Sequence, residues 1–105
     1  MNTNQLQKNV KQYEKTVRDE LQNLSNIISQ INLKQFNNEN ANSEIKRYNK
    51  SLAKYKKAYK NLSTNIKFLK AQNFMSFEEE MELDKLLESF ELEFKETTKY
   101  VNLHL

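Results

Sequence analysis

A chain of 105 residues with 30% charged and 37% hydrophobic residues and a net charge of +3 suffices for one domain with one modest core. It has no glycine, proline or cysteine. That excludes glycine-cradled phosphate loops, dinucleotide-binding turns, disulfides, thiolate metal sites and cysteine nucleophiles.

The same absences bear on the fold. Without proline, long helices meet no obligatory break. Without glycine, any residue in the left-handed backbone region is expected to be Asn or a more strained residue, and tight hairpin turns are disfavoured. The first thirty residues lack an apolar signal-peptide core, and no run approaches the roughly 20 apolar residues of a membrane span. A soluble, by default cytoplasmic, chain is expected.

The first predicted helix covers 3–36. Val10, Val17, Leu24 and Ile31 recur every seven residues, with Leu6, Tyr13 and Ile27 at the companion positions. Glu20 interrupts the companion row, while Leu21 and Ile28 widen the stripe. Four heptads of this kind fit a helical period and not the alternation of a strand.

The run Asn37-Asn38-Glu39-Asn40-Ala41-Asn42 breaks the pattern. Asn tolerates left-handed backbone and competes for local hydrogen bonds, so a loop is expected, with Asn42 or Ser43 capping the next helix. The second helix is predicted over 43–72. Ile45, Tyr48, Leu52, Tyr55, Tyr59, Leu62, Ile66 and Leu69 follow unbroken alternating steps of three and four.

A second joint is expected over 71–75. Ser76 and Glu79 have the spacing of a capping box, and Glu78, Glu79 and Glu80 place negative charge at a helix start. The third helix is predicted over 77–102, with Leu83, Leu87, Phe90, Phe94 and Val101 as its apolar row, flanked by Phe77, Leu86 and Tyr100. Phe74, Met75 and Phe77 cluster at the joint and read as a bundle plug or an exposed apolar tip. Three helices of roughly 40–50 Å joined by short connections predict an all-α, antiparallel, up-down-up three-helix bundle with coiled-coil-like packing. The competing arrangement is a helical hairpin whose third helix packs on a second copy.

Charge is segregated along the chain. From Glu44 to Gln72 nine cations (Lys46, Arg47, Lys50, Lys54, Lys56, Lys57, Lys60, Lys67, Lys70) face Glu44 alone, a net of +8. From Ser76 onward nine acidic residues outnumber Lys85, Lys95 and Lys99, a net of −6. A basic helix followed by an acidic one is expected to set pairing and register. The functional counterpart is a basic face left free for an acidic partner.

The candidate partner-binding residues are Tyr48, Tyr55, Tyr59, Lys54, Lys56, Lys57 and Lys60 of the second helix. Three tyrosines on one seam make it wetter than a closed core, because each buried hydroxyl needs a partner, and tyrosine is enriched at interface hot spots. They are read either as core residues with hydroxyls at the bundle edge or as an incompletely covered face. The expected function is a non-enzymatic protein–protein interaction module, whose partner is another protein or a second copy of the chain.

The alternative is nucleic-acid binding through the basic second helix, with tyrosines interleaved as a stacking surface. Against it, the cations are nearly all Lys, whereas base readout favours the Arg fork. No cofactor, metal or catalytic set is expected. His104 is the lone histidine, and the acidic run Glu78–Asp84 lacks the loop and glycine of a calcium site.

In length and helix content the chain is similar to the secreted Trp-x-Gly hairpins, to spectrin-type repeats and to syntaxin-type N-terminal bundles. It has neither the Trp-x-Gly turn of the first nor the tryptophan of the second, since Trp and Gly are absent. It carries no motif of the third, so it is assigned to none of them.

Overall fold

The computed structural model describes residues 3–73 and 75–101. Three helices follow in order: α1 (Thr3–Phe36), α2 (Asn42–Ala71) and α3 (Phe77–Thr98). At 1.5 Å per residue the 34 residues of α1 account for the 55 Å long axis of the molecule.

Residue pairings give the topology. Thr3 donates to Gln72, the Asn9 amide donates to Asn65, Glu20 meets Ser51, and Lys34 meets Glu44. Numbers rise on α1 as they fall on α2, so the two run antiparallel. Between α2 and α3, Lys70 meets Asp84, Tyr59 meets Glu91 and Tyr55 meets Phe94, again antiparallel. Arg18 over Phe90 and Asn32 on the Tyr100 carbonyl place α3 alongside α1 in the same direction. The bundle is up-down-up, and α3 folds back on its own hairpin.

The core follows the apolar rows. Leu6, Val17, Leu21, Leu24 and Ile31 of α1 and Leu62 and Ile66 of α2 are buried almost completely, each contributing about 1.5–3 kcal/mol by leaving water. The α1–α2 pair carries most of this core, and α3 is the lighter partner. Among its described residues only Phe90 is fully buried, while Leu83, Leu86, Leu87 and Phe94 are half-buried against the cluster.

Glu20, which interrupts the companion row, is buried and accepts a 2.6 Å hydrogen bond from the Ser51 hydroxyl. A carboxylate is tolerated on the seam because α2 offers a donor one step across.

Both joints turn on asparagine. Asn38 and Asn73 hold positive φ angles of 58° and 57°, the left-handed conformation that Asn reaches more readily than other residues bearing a Cβ. The start of α2 differs from expectation. Ala41 is the N-cap residue and has no side-chain cap bond. Asn42 is already helical, and its amide donates to the Asn40 side chain at 2.7 Å. The capping oxygen comes from two residues upstream because the Ala41 methyl offers no acceptor and Asn40 stands next to it on the surface.

At α3 the expected capping box is present. The Ser76 hydroxyl accepts from the Glu79 amide at 3.2 Å, and the Glu79 carboxylate accepts from the Ser76 amide at 3.3 Å. The helix ends at Thr98, earlier than the predicted 102, and closes in a turn in which the Val101 amide donates to the Thr98 carbonyl. Phe74, Asn102 and His104 lie outside the described residues.

Candidate functional site

The three-four rhythm of α2 sorts most of its side chains. The apolar row from Ile45 to Leu69, with its tyrosines, turns towards the bundle, whereas Lys46, Lys50, Lys54, Lys56, Lys57, Lys60 and Lys67 are exposed, as is Phe68. The seven candidate residues therefore do not form one surface. Tyr48 and Tyr55 are buried, Tyr59 is half-buried, and Lys54, Lys56, Lys57 and Lys60 point into solvent.

Tyr55 and Tyr59 are engaged by α3. Tyr55 stacks on Phe94 with ring centroids 4.4 Å apart and planes 8° apart, and on Tyr59 at 6.0 Å. The Tyr59 hydroxyl donates to the Glu91 carboxylate at 2.7 Å. Burial raises the Tyr48 phenol above its ordinary value of 10.0. Burial, with the charges of Glu91 and Glu93, pushes Tyr55 up to about 12. Tyr59 is raised further, by burial first and then by its bond to Glu91, because both disfavour a phenolate.

The lysines spread across the outward side of α2, from its α1 edge to its α3 edge. On the α1 side, Lys54 and Lys57 line a shallow groove of about 210 Å³ with Gln12, Tyr13, Thr16 and Asn61. Arg47, Lys50 and Lys54 line another of about 230 Å³ above Glu20 and Ser51, and Arg47 donates to Gln30 at 3.0 Å. Lys56 and Lys60, which follow the α3-facing Tyr55 and Tyr59 in sequence, lie towards the α3 side. Across to α3, Lys70 pairs with Asp84 at 2.9 Å. Among the described residues no carboxylate lies within ion-pair distance of the other seven α2 lysines.

Among the described residues the expected charge complementarity between α2 and α3 is thus made by one ion pair and one tyrosine–carboxylate bond, and most α2 lysines have no ion-pair partner there.

Two features have no clear signature in the sequence. The first is a groove of about 550 Å³ between the first halves of α1 and α3. Val10, Leu69, Met75, Leu83 and Leu86 form its floor, with Lys11, Glu14, Glu79 and Glu82 at its rim. Met75 belongs to the apolar cluster read at the second joint, but the groove itself depends on how α3 leans. The second is the outward face of α3, where Phe77 is 74% exposed, Met81 40% and Leu92 61%. Phe77, which is read with the joint cluster, is on the surface and not a plug.

No group of three or more acidic or histidine side chains able to hold a metal occurs among the described residues. No described helix is long and apolar enough to cross a membrane. No family model matches this chain, and no curated protein and no solved structure is significantly similar to it.

Proposed function

We propose that this chain is a non-enzymatic protein–protein interaction module, acting as an adaptor, an assembly subunit or a small inhibitor, that docks an acidic partner protein through the lysine face of α2. The observation that carries the reading is the outward set Lys54, Lys56, Lys57 and Lys60, exposed and without an ion-pair partner among the described residues. Lysine stems bury apolar surface on a partner while their ammonium groups reach carboxylates, so such a face recognises an acidic helix or sheet edge.

Nucleic acid is the alternative acidic partner. It is disfavoured because the tyrosines that would stack bases are occupied: Tyr55 lies on Phe94 and Tyr59 is bonded to Glu91. A lysine-only face without stacking groups or Arg forks lacks the elements of base recognition.

The test is capture of partners by the tagged chain before and after nuclease treatment. The proposal expects a stoichiometric protein that survives nuclease. Recovery of nucleic acid alone, with binding that falls steeply as salt rises, would transfer the lysine face to the alternative.

A further inference from the structure

The α2–α3 side of the bundle has one basic edge and one acidic edge. Lys56, Lys60 and Lys67 run along α2, and Glu80, Asp84 and Glu88 recur every fourth residue along α3. Within the chain, Lys70–Asp84 and Tyr59–Glu91 are the polar links between the two helices among the described residues. Lys56, Lys60, Lys67, Glu80 and Glu88 make no ion pair there.

The acidic edge is also apolar. Phe77 and Met81 stand one turn apart on it, and Leu92 continues the same helical face; all three are exposed. Large apolar side chains held in water beside unpaired carboxylates make an incomplete surface.

A surface with a basic left edge and an acidic right edge is complementary to itself. Rotation by 180° about an axis parallel to the helices lays α2 of one copy on α3 of the other, and the reverse contact forms by symmetry. We infer that two copies of this chain pair in this way, through their α2–α3 faces, as an antiparallel four-helix array of α2, α3 and their symmetry mates.

In that array Lys60 and Lys67 of one copy reach Glu80 and Glu88 of the other. The lysine stems cover Phe77, Met81 and Leu92. A second copy is the committed occupant because the chain supplies both halves of the charge pattern in matching register. Lys70–Asp84 and Tyr59–Glu91 already align the two edges within one chain, and the two-fold keeps that alignment between chains.

The contact between Phe77 and Leu92 is about 22 Å long and two helices wide, at the small end of specific interfaces. The dimer is therefore concentration-dependent and electrostatically selected, and it loosens at about 1 M salt, where the Debye length is about 3 Å.

This inference rests on reading the lysine face as a protein-docking surface, and sedimentation velocity on purified chain tests it separately from partner capture. Wild type is expected to sediment as a dimer at high micromolar concentration in low salt. Lys60→Glu with Lys67→Glu, and separately Glu80→Lys with Glu88→Lys, are expected to sediment as monomers with unchanged helicity. An equimolar mixture of the two variants is expected to recover the dimer, because each then supplies the charge that the other lacks.

A wild-type chain that stays monomeric, a dimer unaffected by either reversal, or a mixture that stays monomeric would each overturn the inference. A monomeric chain that still captured an acidic protein through its lysines would overturn the self-pairing and leave the docking reading standing.

Discussion

Tyr55 of α2 and Phe94 of α3 lie ring on ring, 4.4 Å between centroids and 8° from parallel. This contact fixes the lighter third helix to the hairpin and buries Tyr55 in the seam. Aromatic pairs contribute about 0.5–1.5 kcal/mol beyond their buried area. In a double-mutant cycle, Tyr55→Ala and Phe94→Ala should each destabilise by about 2–4 kcal/mol and show a coupling of about 1 kcal/mol. Urea unfolding followed by helicity measures both. Strict additivity would mean that α3 is not held at this point.

The tyrosines also set an alkaline limit. From an ordinary 10.0, Tyr55 is pushed up to about 12 and Tyr59 is also raised. A group whose pKa is raised on folding contributes stability in full below its unfolded value and loses it as pH rises through the folded one. Stability is therefore expected to fall from about pH 10 upward, with tyrosinate absorbance for these two residues rising together with loss of helicity. Tyr55→Phe combined with Tyr59→Phe should flatten that limb. An unchanged limb would place its cause elsewhere.

At the α1–α2 joint the sign reverses. The Lys34 ammonium, hydrogen-bonded to Glu44, holds that carboxyl below its ordinary 4.5 against an opposing effect of burial. A lowered carboxyl pKa contributes stability above the unfolded value and loses it as pH falls through the folded one. Lys34→Met is thus expected to lower the melting temperature at neutral pH, and the difference from wild type should shrink below about pH 4.5. A deficit that is independent of pH would indicate lost packing of the lysine stem.

Glu20 and Ser51 form a buried pair across the α1–α2 seam. Ser51→Ala should cost about 1–3 kcal/mol, because it strands a buried carboxylate acceptor. Glu20→Leu with Ser51→Ala should recover that loss or exceed wild type, since an apolar replacement of both partners leaves nothing unsatisfied. Thermal unfolding of the three variants decides it, and a double variant weaker than the single one would contradict the argument.

These residues also show where the sequence could and could not be read. Steps of three and four over Ile45–Leu69 define α2 without reference to anything else, and the capping box at Ser76 is local and visible. Asparagine at both left-handed positions follows from the absence of glycine. The reason Glu20 is tolerated lies 31 residues away, on Ser51, and no local pattern reveals it. The cap of α2 comes from Asn40, because the helix starts one residue earlier than the pattern suggests and leaves Ala41, which has no acceptor, at the N-cap.

The fate of the tyrosines was open for a physical reason. Seam position says that a side chain faces a neighbouring helix but not how deeply that helix covers it. Phe94 and Glu91 supply the cover, and both depend on the lean of α3. The lysines, which need only face away from the seam, were legible by helical position alone.

The central claim is that the lysine face of α2 docks a protein. It is tested most directly by nuclease-treated capture from the native host, comparing wild type with a variant carrying Lys54→Glu, Lys56→Glu, Lys57→Glu and Lys60→Glu and with helicity checked beforehand. A stoichiometric protein captured by wild type and lost from the folded variant is the predicted result. The same protein captured equally by both, or nucleic acid as the only material lost, would contradict the account.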